Sequence, residues 1–296
     1  MVAPSPASVR QTPLGASALV MAGLICQEVG AAFAVTLFPQ VGAVGMVCLR
    51  LTFSAIILLA VFRPSLRGRT RADWMTVIGF GLVLAAMNVL FYLALSRLYL
   101  GTTVTIEVLG PLILSVVISR RASAWLWAVL AFAGVALLGR GGFDGLDPIG
   151  VLLALGAGTM WAGYILLSER TGRSFARLDG LAIAMAIGAI VTLPFGILST
   201  GPALFHPSVL LLGLAVAVLS SAIPYGLELI ALRRLPAATF SILLSLAPAL
   251  AAVAGLVILG QRLEILDAAA IALVVAASIG AVRAASRRAP IGLSTE

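Results

Sequence analysis

Nearly every stretch of about twenty residues in this chain is apolar enough to cross a bilayer as a helix. Ten such runs fit: 14–37, 41–62, 74–95, 100–118, 123–139, 148–167, 178–198, 209–230, 236–258 and 264–282. A run of about 20 apolar residues spans the hydrocarbon layer, and a helix bonds all of its own backbone groups where no water is available to do so. The connections are short, so successive helices are expected to run antiparallel, with no separate soluble domain. Composition closes the alternative: hydrophobic residues make up 61% of the chain and charged residues 10%, whereas soluble domains are about a quarter charged. The expected class is an all-α integral membrane protein. Residues 1–13 are rich in Pro and Ser and read as a disordered cytoplasmic tail; 283–296 read as a second cytoplasmic tail. The first apolar run is too long for a signal-peptide core and lacks a convincing cleavage site, so it is expected to be retained.

The net charge of +8 and pI near 10.9 would point to nucleic acid in a soluble protein. No interleaving of aromatic and basic residues and no zinc-ligand spacing supports that partner here. The arginines read instead as topology signals. All 19 basic side chains other than His206 are arginine. With the N-terminus in the cytoplasm, fifteen fall inside: Arg10, Arg63, Arg67, Arg69, Arg71, Arg120, Arg121, Arg170, Arg173, Arg177, Arg233, Arg234, Arg283, Arg287 and Arg288. Three fall outside (Arg97, Arg140 and Arg262) and Arg50 lies within the second run. The bias places both termini in the cytoplasm. Cys26 and Cys48 both sit in apolar runs, so neither a disulfide nor a metal site is expected.

The chain also repeats itself. Met87 to Pro111 and Pro224 to Pro248 both carry Ala-Leu-x-Arg-Leu, at Ala94 to Leu98 and Ala231 to Leu235, and both then place a proline inside the next apolar run. The offset is 137 residues throughout. Residues 14–139 and 148–282 would then be two halves of five helices each. Five is odd, so the second half must run opposite to the first, with Arg97 outside and its counterpart Arg234 inside. Inverted repeats of this kind hold transporter sites near the midplane.

Three stretches resemble a known family. Ser221 to Leu250, SAIPYGLELIALRRLPAATFSILLSLAPAL, is similar to the last third of bacterial threonine/homoserine exporters, and Gly156 to Gly172, GAGTMWAGYILLSERTG, and Glu107 to Leu112, EVLGPL, are similar in their own regions. These exporters belong to the EamA group of the drug/metabolite transporter superfamily, which also includes aromatic amino acid exporters. The resemblance implies ten helices in two inverted five-helix repeats, a bacterial inner membrane, and export of amino acids or related metabolites from the cytoplasm. The chain departs from the pattern near Ala247 and at Gln261, where related exporters often carry carboxylates. The same substrate and ion coupling are therefore not carried over.

Charges at membrane depth need a reason, since each costs about 2.5–3.5 kcal/mol on insertion scales. Glu28 and Arg50 flank a turn near Pro39 at equal sequence distance, which places them at similar depth. They are either a structural ion pair, or Glu28 exchanges a proton or meets a substrate ammonium. Glu107 precedes Pro111 by four residues, so the proline leaves the carbonyl of residue 107 without its helical donor. Thr103, Glu107 and Gly110 share a helical face. Pro248 does the same to Leu244, beside Ser241 and Ser245. These prolines mark plain kinks or polar breaks at a binding site. Asn88 and Tyr92 share an interior stripe, and Tyr225 shares another with Ser221 and Glu228. Glu228 is placed near Arg233 and Arg234 as an interfacial ion pair or a gate. Trp161 and Tyr164 are either lipid-facing or part of a binding wall; on a loose alignment of the first and sixth runs, Trp161 stands opposite Glu28. Small residues recur at Gly150, Ala154, Gly158 and Ala162, a spacing that favours close helix packing and that Ala-rich chains also produce by chance.

The expected activity is secondary transport, with an amino acid as substrate, protons as candidate coupling ions and no cofactor. No Walker A motif supports ATP-driven transport by this chain. No HExxH, GxSxG or intramembrane histidine supports an intramembrane enzyme. Export of other metabolites or drugs, or a membrane scaffold or sensor, are the alternatives; a scaffold gives no reason for four buried charges in a two-fold repeat.

Overall fold

The computed structural model describes residues 13–119, 122–138, 146–176, 178–232, 235 and 237–286. They form thirteen α-helices: α1 Pro13–Thr36, α2 Phe38–Phe62, α3 Arg71–Leu95, α4 Leu100–Glu107, α5 Leu109–Ser119, α6 Ala122–Leu138, α7 Pro148–Ser174, α8 Asp179–Thr200, α9 Pro207–Ala217, α10 Ile223–Leu232, α11 Ala237–Leu244, α12 Ala247–Leu259 and α13 Ile265–Ser286. A 3-10 turn, Gly201–Phe205, precedes α9, and a π turn, Val218–Ala222, joins α9 to α10. Among the described residues there is no strand. Among the described residues nine segments are long and apolar enough to cross a membrane, while Trp125–Leu138 in α6 is a shorter apolar helix. Large apolar side chains such as Leu198, Val257 and Ile265 stand exposed on the outside, as lipid requires and water would not allow.

Local chemistry sets the ends. Thr70 and Asp73 form a reciprocal capping box at the start of α3, with Thr70 N–H donating to Asp73 Oδ2 at 2.9 Å and Asp73 N–H to Thr70 Oγ1 at 3.2 Å. Asp147 caps α7, its Oδ1 accepting from the N–H groups of Ile149 and Gly150, and Pro148 sits in the first turn. The turn between α1 and α2 falls on Leu37, and Pro39 belongs to the first turn of α2. Gly42 then interrupts α2 at φ 66° and ψ 171°, a backbone that L side chains adopt only with strain. The carbonyl of Val41 beside it accepts from Thr200 Oγ1 at 2.7 Å. At the other end of the chain α13 continues to Ser286 and includes Arg283; residues 1–12 and 287–296 lie outside the described part, as do Arg120, Arg121, Arg140, Arg177, Arg233 and Arg234.

The helices pack mainly across the midpoint of the sequence. α2 lies on α8, α3 on α7, and α6 on α13; α3 also meets α8 and α2 meets α9; α1 packs on α10 and α12, and α4 on α12 and α7. One apolar core joins α2, α3 and α8 around Met46, Leu51, Phe80, Leu84 and Met185. A second joins α1, α4, α11 and α12 around Val20, Leu24, Leu100, Phe240 and Ala251. At one end of the molecule Arg69 donates to the carbonyl of Ser174, with its guanidinium 4.4 Å from the Phe175 ring centroid. At the other, Arg97 pairs with Asp147 at 2.7 Å and Gln261 Oε1 accepts from the N–H of Leu100 at 3.0 Å.

Candidate functional site

Both core regions leave charged groups between them. Glu28 on α1, Arg50 on α2 and Glu107 at the end of α4 are 3%, 9% and 9% exposed. The three lie within electrostatic reach of one another. They are not closed into an ion pair: among the described residues the pairs within 4.0 Å are Arg97–Asp147 and Arg173–Glu169. Arg50 is held instead by neutral groups. Its Nη1 donates to the Tyr92 hydroxyl at 3.3 Å and its Nη2 to the carbonyl of Ser220 at 3.2 Å, with the Tyr92 ring centroid 5.5 Å from Cζ. Tyr225 on α10 is also within electrostatic reach of the guanidinium. Arg50 Nε and Glu28 Oε2 have no hydrogen-bond partner among the described residues. One buried donor on a cation and one buried acceptor on an anion are thus left unmatched in the same cluster, an arrangement that is unfavourable until something fills it.

The carbonyl that holds Arg50 is available because of a proline. Pro224 lacks the N–H that would bond the carbonyl four residues back, which is that of Ser220. The chain takes a π turn there, with Ile223 N–H bonding back to Val218. The same chemistry acts at the two breaks read from the sequence. α4 ends at Glu107, four residues before Pro111, and α11 ends at Leu244, four residues before Pro248. The Glu107 carbonyl freed in this way is turned toward α7: a Cβ added at Gly158 would fall on it, and one added at Gly110 would fall on the carbonyl of Gly158. The glycines therefore let α4, α5 and α7 approach backbone to backbone, with Ala154 one turn away fully buried. The small-residue run along α7 is a packing face.

The remaining polar residues divide. Tyr92 is fully buried and joins the cluster, packing against Phe38 and Phe91. Asn88, one turn before it, is buried and donates to the carbonyl of Leu84. Thr103 and Ser245 are buried and satisfy their hydroxyl donors on their own helices, at Tyr99 and Ser241. Tyr164 is half-buried and packs on Phe80 at 5.2 Å between centroids; it lines a side pocket of about 120 Å³ with Thr171, Phe175 and Leu181, to which no cluster residue contributes. Trp161 is half-buried on α7. Glu228 belongs to α10, and its side chain lies outside the described part. Gln261, one of the two uncharged departures from the family pattern, caps the N-terminus of α4. At that same end, the hydrogen bond from Arg97, with the helix N–H groups of Gly150 and Ile149, holds the Asp147 carboxyl below its ordinary range. Sequence reading missed Ser220, and it placed Ser221 only on a stripe with Tyr225 and Glu228. The proline rule that exposes residue 107 would have exposed residue 220, had it been applied to Pro224.

The comparisons agree with this architecture. The EamA-like transporter family matches residues 148–283. The threonine/homoserine exporter RhtA of Salmonella typhimurium is 42% identical over 278 residues, covering 93% of this chain and 94% of the relative. That of Escherichia coli K12 is 41% identical over the same span. The uncharacterized transporter YvbV of Bacillus subtilis is 32% identical over 133 residues, 39% of this chain and 42% of that one. One solved crystal structure matches with a TM-score of 0.63 at 21% identity, over 92% of this chain and 98% of the other, a likeness of fold alone. With identity above 40% over nearly its whole length, and helices, breaks and buried charges arranged as described, the chain belongs to the EamA-like transporter family.

Proposed function

We propose that this protein exports small amino acids from the cytoplasm across a bacterial inner membrane by alternating access. The observation that carries the reading is the unfilled cluster: Glu28 Oε2 lacks a donor and Arg50 Nε lacks an acceptor, both buried and within electrostatic reach. An amino acid zwitterion supplies both at once. Its ammonium meets Glu28 or Glu107, and its carboxylate meets Arg50, already braced by Tyr92 and Ser220. The names of the full-length relatives, threonine/homoserine exporters, support the substrate class. Protons are the candidate coupling ions, because they compete with an ammonium for the same carboxylates.

Alternating access rests on ten crossings in two inverted halves, with both termini cytoplasmic. The packing supports that arrangement, because exchanging the first five crossings with the last five exchanges observed contacts. α3 on α7 becomes α10 on α1, α3 on α8 becomes α9 on α2, and α2 on α8, α4 on α12 and α6 on α13 map onto themselves. The end ties support it too. Arg69 brings the loop after α2 to the end of α7, while Arg97 brings the end of α3 to the start of α7. Counting α6 as the fifth crossing requires the bilayer to thin locally around this shorter helix.

In the test, the full-length protein is placed in proteoliposomes and flux of labelled threonine is followed with and without a pH gradient. Glu28→Gln and Glu107→Gln are each expected to cut flux by about tenfold or more, the scale of one charge-assisted hydrogen bond, while inserting normally. Absence of amino acid flux in the wild type under either condition overturns the proposal.

A further inference from the structure

We infer that the π turn Val218–Ala222 is the subsite that reads a hydroxyl on the substrate's side chain, with Ser221 and Ser220 as its specificity-determining residues. The inference rests on the amino-acid-export reading above and adds to it which amino acids are preferred.

Some buried helical hydroxyls in this chain satisfy themselves on the preceding turn. Thr103 donates to Tyr99, Thr105 to Gly101, Thr192 to Gly188 and Ser245 to Ser241, the usual behaviour of Ser and Thr within helices. Others do not, among them Ser54, Thr171 and Ser278; nor do Ser220 and Ser221, which differ in being adjacent and in sharing the turn that holds Arg50. They are 1% and 0% exposed, and neither hydroxyl has a hydrogen-bond partner among the described residues. Two adjacent buried hydroxyls left open are unfavourable in the empty protein and call for a ligand group.

Their position says which group. The carbonyl of Ser220 holds Arg50, the residue that takes the substrate carboxylate. In a β-hydroxy amino acid the side-chain oxygen stands three bonds from the carboxylate carbon. A substrate anchored on Arg50 therefore carries its hydroxyl next to the turn that anchors the arginine. Opposite Ser220, α1 presents Gly30; the Ser220 hydroxyl occupies the place where a Cβ at that position would fall. The turn thus closes against α1 with no side chain between. A hydroxyl both donates and accepts, so two serines can receive one substrate hydroxyl in either sense. Valine, which replaces that hydroxyl with a methyl group at nearly the same shape, would leave the serines unmatched. A site built to bond a hydroxyl discriminates strongly against the analogue that lacks it.

The test compares threonine and valine flux in proteoliposomes for the wild type, Ser221→Ala, Ser220→Ala and the double variant, with substrate-induced thermal shift as a second readout. The wild type is expected to prefer threonine by about tenfold or more. The double variant is expected to lose about tenfold of that preference through lower threonine flux, with valine flux kept. Its threonine-induced thermal shift shrinks and its valine-induced shift stays. The stability of the empty protein does not fall, because no hydrogen bond is removed. An unchanged threonine-to-valine ratio in the variants, or threonine and valine falling together, overturns the inference. Equal wild-type flux of both amino acids overturns it while leaving amino acid export standing. A wild type that moves neither amino acid overturns both readings.

Discussion

Single residues set the terms of this structure through what their backbones lack. Pro111, Pro224 and Pro248 each remove one N–H, and the carbonyls thereby freed meet different fates: that of residue 220 receives Arg50, while that of residue 107 lies against Gly158. Gly158→Ala places a methyl group on the Glu107 carbonyl, and overpacking of this kind costs about 1–3 kcal/mol. The expected result is a lower melting temperature together with reduced flux, measured on purified protein. At the molecule's end, the Arg97–Asp147 tie gives a pH signature. The folded carboxyl titrates below its ordinary value, so the stabilisation is fully present above about pH 3.9 and disappears as pH falls through the folded value. Asn is as good a helix cap as Asp, so Asp147→Asn isolates the charge. The gap in thermal midpoint between wild type and Asp147→Asn is expected to stay flat from pH 8 to about pH 5 and to close below about pH 4.

Elements were legible in the sequence wherever lipid dictates them and illegible wherever neighbours do. The apolar runs predicted the helices because burial of backbone groups in hydrocarbon admits little else. The break after Glu107 was readable from Pro111 by local stereochemistry. The π turn was not read, although Pro224 announces it, because its visible consequence is an arginine 170 residues away. Equal sequence spacing placed Glu28 and Arg50 at similar depth, and the structure puts them within electrostatic reach. It could not show that Tyr92 and Ser220 would take the guanidinium. The interruption of α2 at Gly42 likewise has no local signature, since Gly is common in such chains. No atom lies within 4 Å of a Cβ added there, so Gly42→Ala tests backbone conformation alone. It is expected to cost about 1–3 kcal/mol, read as a lower thermal midpoint. Flux is expected to fall as well if the bent start of α2 must change angle during transport.

At the scale of the whole molecule, the repeat unit of the sequence is not the packing unit of the fold. α3 is tied to α7 at both ends, by Arg69 on Ser174 and by Arg97 on Asp147, and α1 lies along α10. On the proposed alternating-access cycle, each moving bundle therefore mixes helices from both halves. Cysteines at positions 97 and 147, introduced after Cys26 and Cys48 are replaced, are expected to crosslink readily and to leave flux intact if α3 and α7 move as one body. Loss of flux on oxidation, restored by reductant, would place a moving interface between them instead. The same interlocking sets a schedule for synthesis. Arg50 enters the bilayer long before the carbonyl that receives it has been made, 170 residues later in the chain. At about 5–20 residues per second, that interval is on the order of ten to thirty seconds. Of the arginine's charged and hydroxyl neighbours Glu28 alone is made before it; Tyr92 and Glu107 follow 42 and 57 residues after Arg50, so the guanidinium's surroundings are assembled one group at a time.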